Sequence, residues 1–146
     1  MKVLALDYGK ARTGVAVSDA TGTLARPVCV LERVRSKQGR AALLRTIAEL
    51  EPEKVVVGLP LTLAGGRGKQ AGETLSFVRE LETDCPVPIE TYDERFTTVT
   101  ANRVLAESGV RGPARRQVVD KVAAAVLLQS WLDQRASRRS RPTETE

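Results

Sequence analysis

The stretch Lys2-Val-Leu-Ala-Leu-Asp7-Tyr-Gly-Lys-Ala-Arg-Thr-Gly14-Val-Ala-Val17 decides the architecture. Lys2 to Asp7 is apolar up to its last residue, which suits a buried strand. Asp7 to Gly14 is a glycine-containing turn region, and Val15–Val17 resumes at once as a second strand. Asp19–Gly22 turns the chain again, and Pro27–Leu31 makes a third strand. The chain therefore opens as a three-stranded meander.

Beyond the meander the apolar period changes. Ser36 caps a helix with Leu43, Leu44, Ile47 and Leu50 at helical spacing, and Pro52 ends it. Lys54–Val57 is a buried strand closed by Gly58-Leu-Pro60. A glycine-rich loop, Ala64–Gly68, leads into a second helix with Ala71, Leu75, Val78 and Leu81 on one face. Val87–Tyr92 is a fifth strand, limited near its start by Pro88. Thr97 or Thr98 caps a short helix that stops at Ser108-Gly109, and Pro113 opens a long last helix through Ala136. The order β-β-β-α-β-α-β-α-α predicts an α/β protein: a mixed five-stranded sheet, a meander followed by αβ units, with helices on both faces. That is the layout of a ribonuclease H-like fold.

A chain of 146 residues supports one domain. It is read as residues 1–134, followed by a disordered basic and acidic tail over 135–146. No apolar run approaches the ~18 residues of a membrane span. Met1 leads directly into strand residues rather than a signal peptide, so a cytoplasmic protein is expected. The sequence contains no histidine, which removes Ser-His-Asp and Cys-His catalysis and every histidine-ligated metal site. Its two cysteines, Cys29 and Cys85, cannot make a four-thiolate zinc site and are expected to be small buried residues in a reducing cytosol. A net charge of +5, carried mostly by arginine, suits a polyanionic partner.

Three carboxylates stand out. Asp7 closes an apolar strand, where the sheet can hold a metal ligand rigidly, although Asp also caps turns. Asp93 and Glu94 end the fifth strand; alternation points them to opposite faces, so one of them at most joins Asp7. Their plainer reading is an exposed acidic pair with Arg95 as counter-charge. Asp120 lies in a nearly all-apolar helix near Ala123, Ala124 and Leu127, where a carboxylate is costly unless paired or metal-bound. A salt bridge to Arg116, four residues earlier, is the alternative. Such oxygen ligands suit Mg²⁺ or Mn²⁺, and two ions roughly 4 Å apart can drive phosphodiester hydrolysis without histidine. Gly65-Gly-Arg-Gly-Lys69 fails as a Walker loop, because Gln70 stands where Ser or Thr would bind Mg²⁺. It is read as a mobile basic flap or a plain connector.

Four segments in order resemble the YqgF family, also called RuvX. They are Asp7-Tyr-Gly-Lys-Ala-Arg-Thr-Gly-Val-Ala-Val17, Val57-Gly-Leu-Pro-Leu61, Asp93-Glu-Arg-Phe-Thr-Thr98 and Asp120-Lys-Val-Ala-Ala124. These are nucleases similar to Holliday junction resolvases and linked to maturation of the 16S ribosomal RNA precursor. The resemblance implies a catalytic, metal-holding triad of Asp7, Glu94 and Asp120, choosing Glu94 over Asp93. It implies phosphate contacts at Arg12 and Arg95. Lys10, Arg67, Lys69 and Arg116 join the substrate-binding set on charge and position. Three positions depart from the family pattern. The loop Leu61–Gly65 lacks the usual Asn and acidic residue, Lys121 follows the helix aspartate, and Gln117 stands where junction resolvases carry a further metal-binding side chain.

The expected activity is a Mg²⁺- or Mn²⁺-dependent nuclease acting on precursor rRNA. A junction resolvase acting on branched DNA and a non-catalytic nucleic-acid-binding protein are the alternatives. The sequence has no dimer stripe, so a monomer or weak homodimer is expected.

Overall fold

The computed structural model describes residues 1–61, 66, 68–97 and 113–140, with the backbone alone over 113–121 and 139–140. Five strands form one mixed sheet: β1 (Val3–Asp7), β2 (Arg12–Ser18), β3 (Ala25–Glu32), β4 (Lys54–Leu59) and β5 (Ile89–Asp93). Their spatial order is β3-β2-β1-β4-β5, with the meander antiparallel and β1, β4 and β5 mutually parallel. The helices are α1 (Lys37–Leu50), α2 (Lys69–Glu82) and α3 (Pro113–Ser140). This is the expected mixed α/β sheet.

The period-2 pattern of β1 divides its side chains between two cores. Leu4 and Leu6 join Val55, Val57, Leu43, Ile47, Phe77 and Leu81 under α1 and α2. Val3 and Ala5 join Val56, Tyr92, Ala124, Leu127 and Leu128 under α3. Every side chain from Val3 to Leu6 and from Val55 to Val57 is fully buried, as expected for parallel strands covered on both faces.

The element boundaries follow local chemistry. Ser36 caps α1 by accepting from the Gly39 N–H at 3.0 Å, and Glu51 closes it in the left-handed region at φ 50°. Pro27 sits in β3, longer than the expected Pro27–Leu31, because β3 is an edge strand and its register shifts beside this residue. β5 starts at Ile89 rather than Val87 because Pro86 and Pro88 flank its beginning. Its ladder opens with the Pro88 carbonyl accepting from Val55 N–H at 3.0 Å. A 3₁₀ turn, Glu94–Thr97, follows β5 directly. The short helix expected up to Ser108-Gly109 lies outside the described residues.

Two readings are corrected. The last helix does not stop at Ala136: it continues to Ser140, so Arg135–Ser140 is helical and not part of a disordered tail. Arg135 lies 5.6 Å over the Trp131 ring, one turn earlier, and cations at a helix C-terminus oppose the negative end of its dipole. Cys29 and Cys85 are free thiols and half-buried rather than buried, and burial raises both above the usual thiol range. No helix among the described residues is long and apolar enough to cross a membrane.

Candidate active site

Parallel strands β1, β4 and β5 end on the same side of the sheet, the side where open α/β sheets bind ligands. Asp7 ends β1. Val3 and Ala5 face α3, so alternation turns Asp7 to that face as well. On β4, Leu6 pairs with Val57, which brings Gly58 beside Asp7. Gly58 pairs in turn with Tyr92 of β5, and Tyr92 lies in the α3-side core. Glu94, two residues on, returns to the same face.

Gly58 is what lets the two acids meet. A β-carbon there would lie 2.6 Å from Glu94 Oε1, 3.0 Å from its Cγ and 3.1 Å from Leu127 Cδ2. The Glu94 side chain therefore crosses β4 over bare backbone and hydrogen-bonds with Asp7. Burial, then the neighbouring Asp7 charge, push the Glu94 carboxyl up to about 7. Two hard-oxygen side chains that share a proton at neutral pH form a place where a cation can take that proton's role.

Asp93 has the opposite environment. Arg95 grips it from Nε at 2.9 Å and Nη2 at 2.6 Å, and its own backbone N–H adds a bond at 2.9 Å. The Arg95 hydrogen bonds and charge hold Asp93 below the usual carboxylate range. The counter-charge reading thus applies to Asp93, while Glu94 joins Asp7.

The two acids line a cavity of about 180 Å³ with Tyr8, Lys10, Pro60 and, from the first turns of α2, Gln70, Glu73 and Thr74. Sequence reasoning missed Gly58 as a positioning residue and missed the α2 residues altogether. A lone strand-end glycine and a helix start carry no local sign of what they approach. Gly9 shapes the turn after Asp7, since a β-carbon there would meet the Arg12 carbonyl oxygen at 2.4 Å.

Lys10 stands at the cavity, exposed. Arg12 opens β2 and Lys69 opens α2, both exposed and outside the cavity lining. Arg67 lies outside the described residues. Arg116 and Asp120 belong to α3, and their side chains lie outside the described set. Among the described residues, no group of three or more His, Cys, Asp or Glu side chains comes together as a metal cage. The observed acidic centre is the pair Asp7 and Glu94.

Solved structures share this architecture. RuvC of Thermus thermophilus, in complex with a Holliday junction substrate, superposes with a TM-score of 0.57 at 21% identity, covering 94% of this chain and 96% of that one. The fowlpox virus resolvase, in complex with Holliday junction DNA, does so at 0.51 and 10% identity, covering 95% and 98%. These likenesses define the class, an α/β protein of ribonuclease H-like fold.

Residues 1–134 match the RuvX family, described as Holliday junction resolvase, and the chain belongs to that family. It is 44% identical over 147 residues to a Rhodococcus erythropolis protein named “Putative pre-16S rRNA nuclease”, covering 97% of this chain and 82% of the relative. A Mycobacterium leprae protein of the same name is 43% identical over 143 residues, covering 97% and 78%. The activity of this chain is that of a nuclease, a hydrolase acting on nucleic acid.

Proposed function

We propose that the protein is a divalent-metal-dependent nuclease that trims the precursor of 16S rRNA in the cytoplasm. Asp7, Glu94 and Asp120 hold Mg²⁺ or Mn²⁺ in this reading. The observation that carries it is the meeting of Asp7 and Glu94 over Gly58, where burial and the Asp7 charge push the Glu94 carboxyl up to about 7. Asp120 enters from sequence: it precedes Leu127 by seven residues, two helical turns, and Leu127 packs against Gly58.

The bound ion supplies a nucleophile at neutral pH and charge neutralisation at the phosphate. The chain's own residues do the rest. Asp7 is fixed by the buried strand behind it, and Glu94 is fixed by the crossing over β4. Asp7 and Glu94, both ionised, would be the residues that hold such an ion. Lys10 stands at the cavity to meet phosphate, Arg12, Lys69 and Arg95 add exposed positive charge for the nucleic-acid backbone, and Arg67 and Arg116 join them on sequence alone. The names of the relatives support rRNA as the substrate.

The test is cleavage of a 16S precursor transcript, single-stranded DNA and a four-way DNA junction, each with Mn²⁺, Mg²⁺ or chelator, with wild type beside Asp120→Asn. Metal-dependent cutting of the transcript, lost in the variant, is the expected result. Preferential cutting of the junction replaces rRNA with branched DNA. Equal, metal-independent binding by both proteins with no cutting overturns the catalytic reading.

A further inference from the structure

A second concavity, of about 410 Å³, runs along β5, the edge strand of the sheet, and shares no lining residue with the cavity at the acidic pair. Its walls include Tyr92, Phe96, Trp131, Gln134, Arg135 and Arg138. It adjoins the acidic pair through the chain itself, because Asp93 and Phe96, which both line it, flank Glu94.

Phe96 is 53% exposed, and among the described residues it is the only aromatic in the set of exposed large hydrophobics. Its ring is held in place all the same. Tyr92 supports it at 5.7 Å between centroids, tilted by 49°. Its carbonyl accepts from Ser130 Oγ at 3.2 Å, and that oxygen is itself bonded to the Tyr92 hydroxyl at 2.8 Å. Phe96 is thus anchored through its backbone and against Tyr92 while more than half of it stays exposed.

The charges in the concavity are not balanced. Glu90 accepts from Lys54 Nζ at 3.1 Å and from Trp131 Nε1 at 2.6 Å, and Asp93 is held by Arg95. Its two acids are therefore satisfied from within the fold. Arg135 and Arg138 have no carboxylate at ion-pair distance among the described residues, although the Arg138 charge is felt by Glu90 from farther off; with Lys54 and Arg95 already on the two acids, these two guanidinium groups add positive charge to the concavity. An exposed aromatic ring beside two guanidinium groups, in a space the size of one small ligand, matches a single unpaired nucleotide: base on ring, phosphate on arginine.

We propose that this concavity is a nucleotide subsite that holds an unpaired base against Phe96 and its phosphate against Arg135 and Arg138, beside the scissile position. The proposal rests on the nuclease reading of the acidic pair and adds a preference for substrates that are single-stranded next to the cut. A peptide strand pairing with the open edge of β5 is the rival occupant. It would use neither the arginine pair nor the exposed ring.

The chain's single tryptophan, Trp131, lines the concavity and reports on it directly. The full chain carrying Asp7→Asn is titrated with a labelled oligouridylate, and with the same strand lacking one base, following strand anisotropy and Trp131 fluorescence together. The expected result is a saturable fluorescence change with the same midpoint as the anisotropy. Arg135→Ala with Arg138→Ala weakens binding severalfold. Phe96→Ala weakens binding of the intact strand about tenfold, hardly affects the abasic strand, and is rescued by Phe96→Tyr. An equal loss on both strands would assign Phe96 a purely structural role and overturn the proposal, as would strand binding with Trp131 silent. Metal-dependent cleavage by wild type, measured separately, judges the acidic pair, so a silent Trp131 beside active cleavage sinks the subsite alone.

Discussion

Glu94 reaches Asp7 across the bare backbone of Gly58, and the two carboxyls meet in a hydrogen bond although they come from different strand ends. The strand ladders are backbone pairings that need neither charge. Asp7→Asn should therefore retain the wild-type melting transition while cleavage falls about a hundredfold or more. Gel-based cleavage beside a thermal melt checks both halves; near-wild-type cutting by a folded Asp7→Asn protein would sink the mechanism.

The metal-free protein should titrate Glu94 near 7. Burial is the largest cause and Asp7 the next, so Asp7→Asn should lower this midpoint without returning it to the ordinary glutamate range. Carboxyl-carbon NMR reads it directly. Because the folded state holds the Glu94 proton more tightly than the unfolded chain, this group's contribution to stability is fully present below about 4.5 and is lost as pH rises towards 7. The stability difference between wild type and Glu94→Gln should widen over that window, in favour of the glutamine variant. A difference independent of pH would contradict the shared proton.

Gly58→Ala tests the crossing. Its new methyl group meets the end of the Glu94 side chain and a methyl of Leu127, so the carboxylate must move and the helix contact must give. Stability should fall by about 1–2 kcal/mol. Cleavage should fall further than stability explains, by about a hundredfold, since a displacement near 1 Å is enough for that. A variant that binds strand normally but cuts poorly is the signature to look for.

Ser130→Ala removes the buried bond to the Tyr92 hydroxyl and the bond to the Phe96 carbonyl. Leaving that hydroxyl without its partner should cost about 1–3 kcal/mol in chemical denaturation. Tyr92→Phe combined with Ser130→Ala should cost less than the sum of the single changes, because the two share one hydrogen bond.

The sheet was legible because its signals are local. An apolar strand ending in Asp7, a meander of short strands and a change to helical period all lie within a few residues of chain. The choice between Asp93 and Glu94 was not local. It depends on which side of β5 α3 covers, and that follows from the Gly58–Tyr92 register and the placement of Tyr92 in the α3-side core. The α2 residues at the cavity were invisible for the same reason, since nothing in Gln70-Ala-Gly-Glu-Thr74 says that a strand end lies opposite. The end of α3 was read too early because its arginines look like a solvated tail; Arg135 instead lies over Trp131.

The parallel pairing of β1, β4 and β5 also sets a timetable. During synthesis Asp7 emerges early, Gly58 much later, and Glu94 later still, so no local hairpin can bring the acids together. A nascent chain released from the ribosome before β5 is complete has its first acid and much of its cationic surface but lacks the partner acid. Such a prematurely ended chain carries half a pair of scissors.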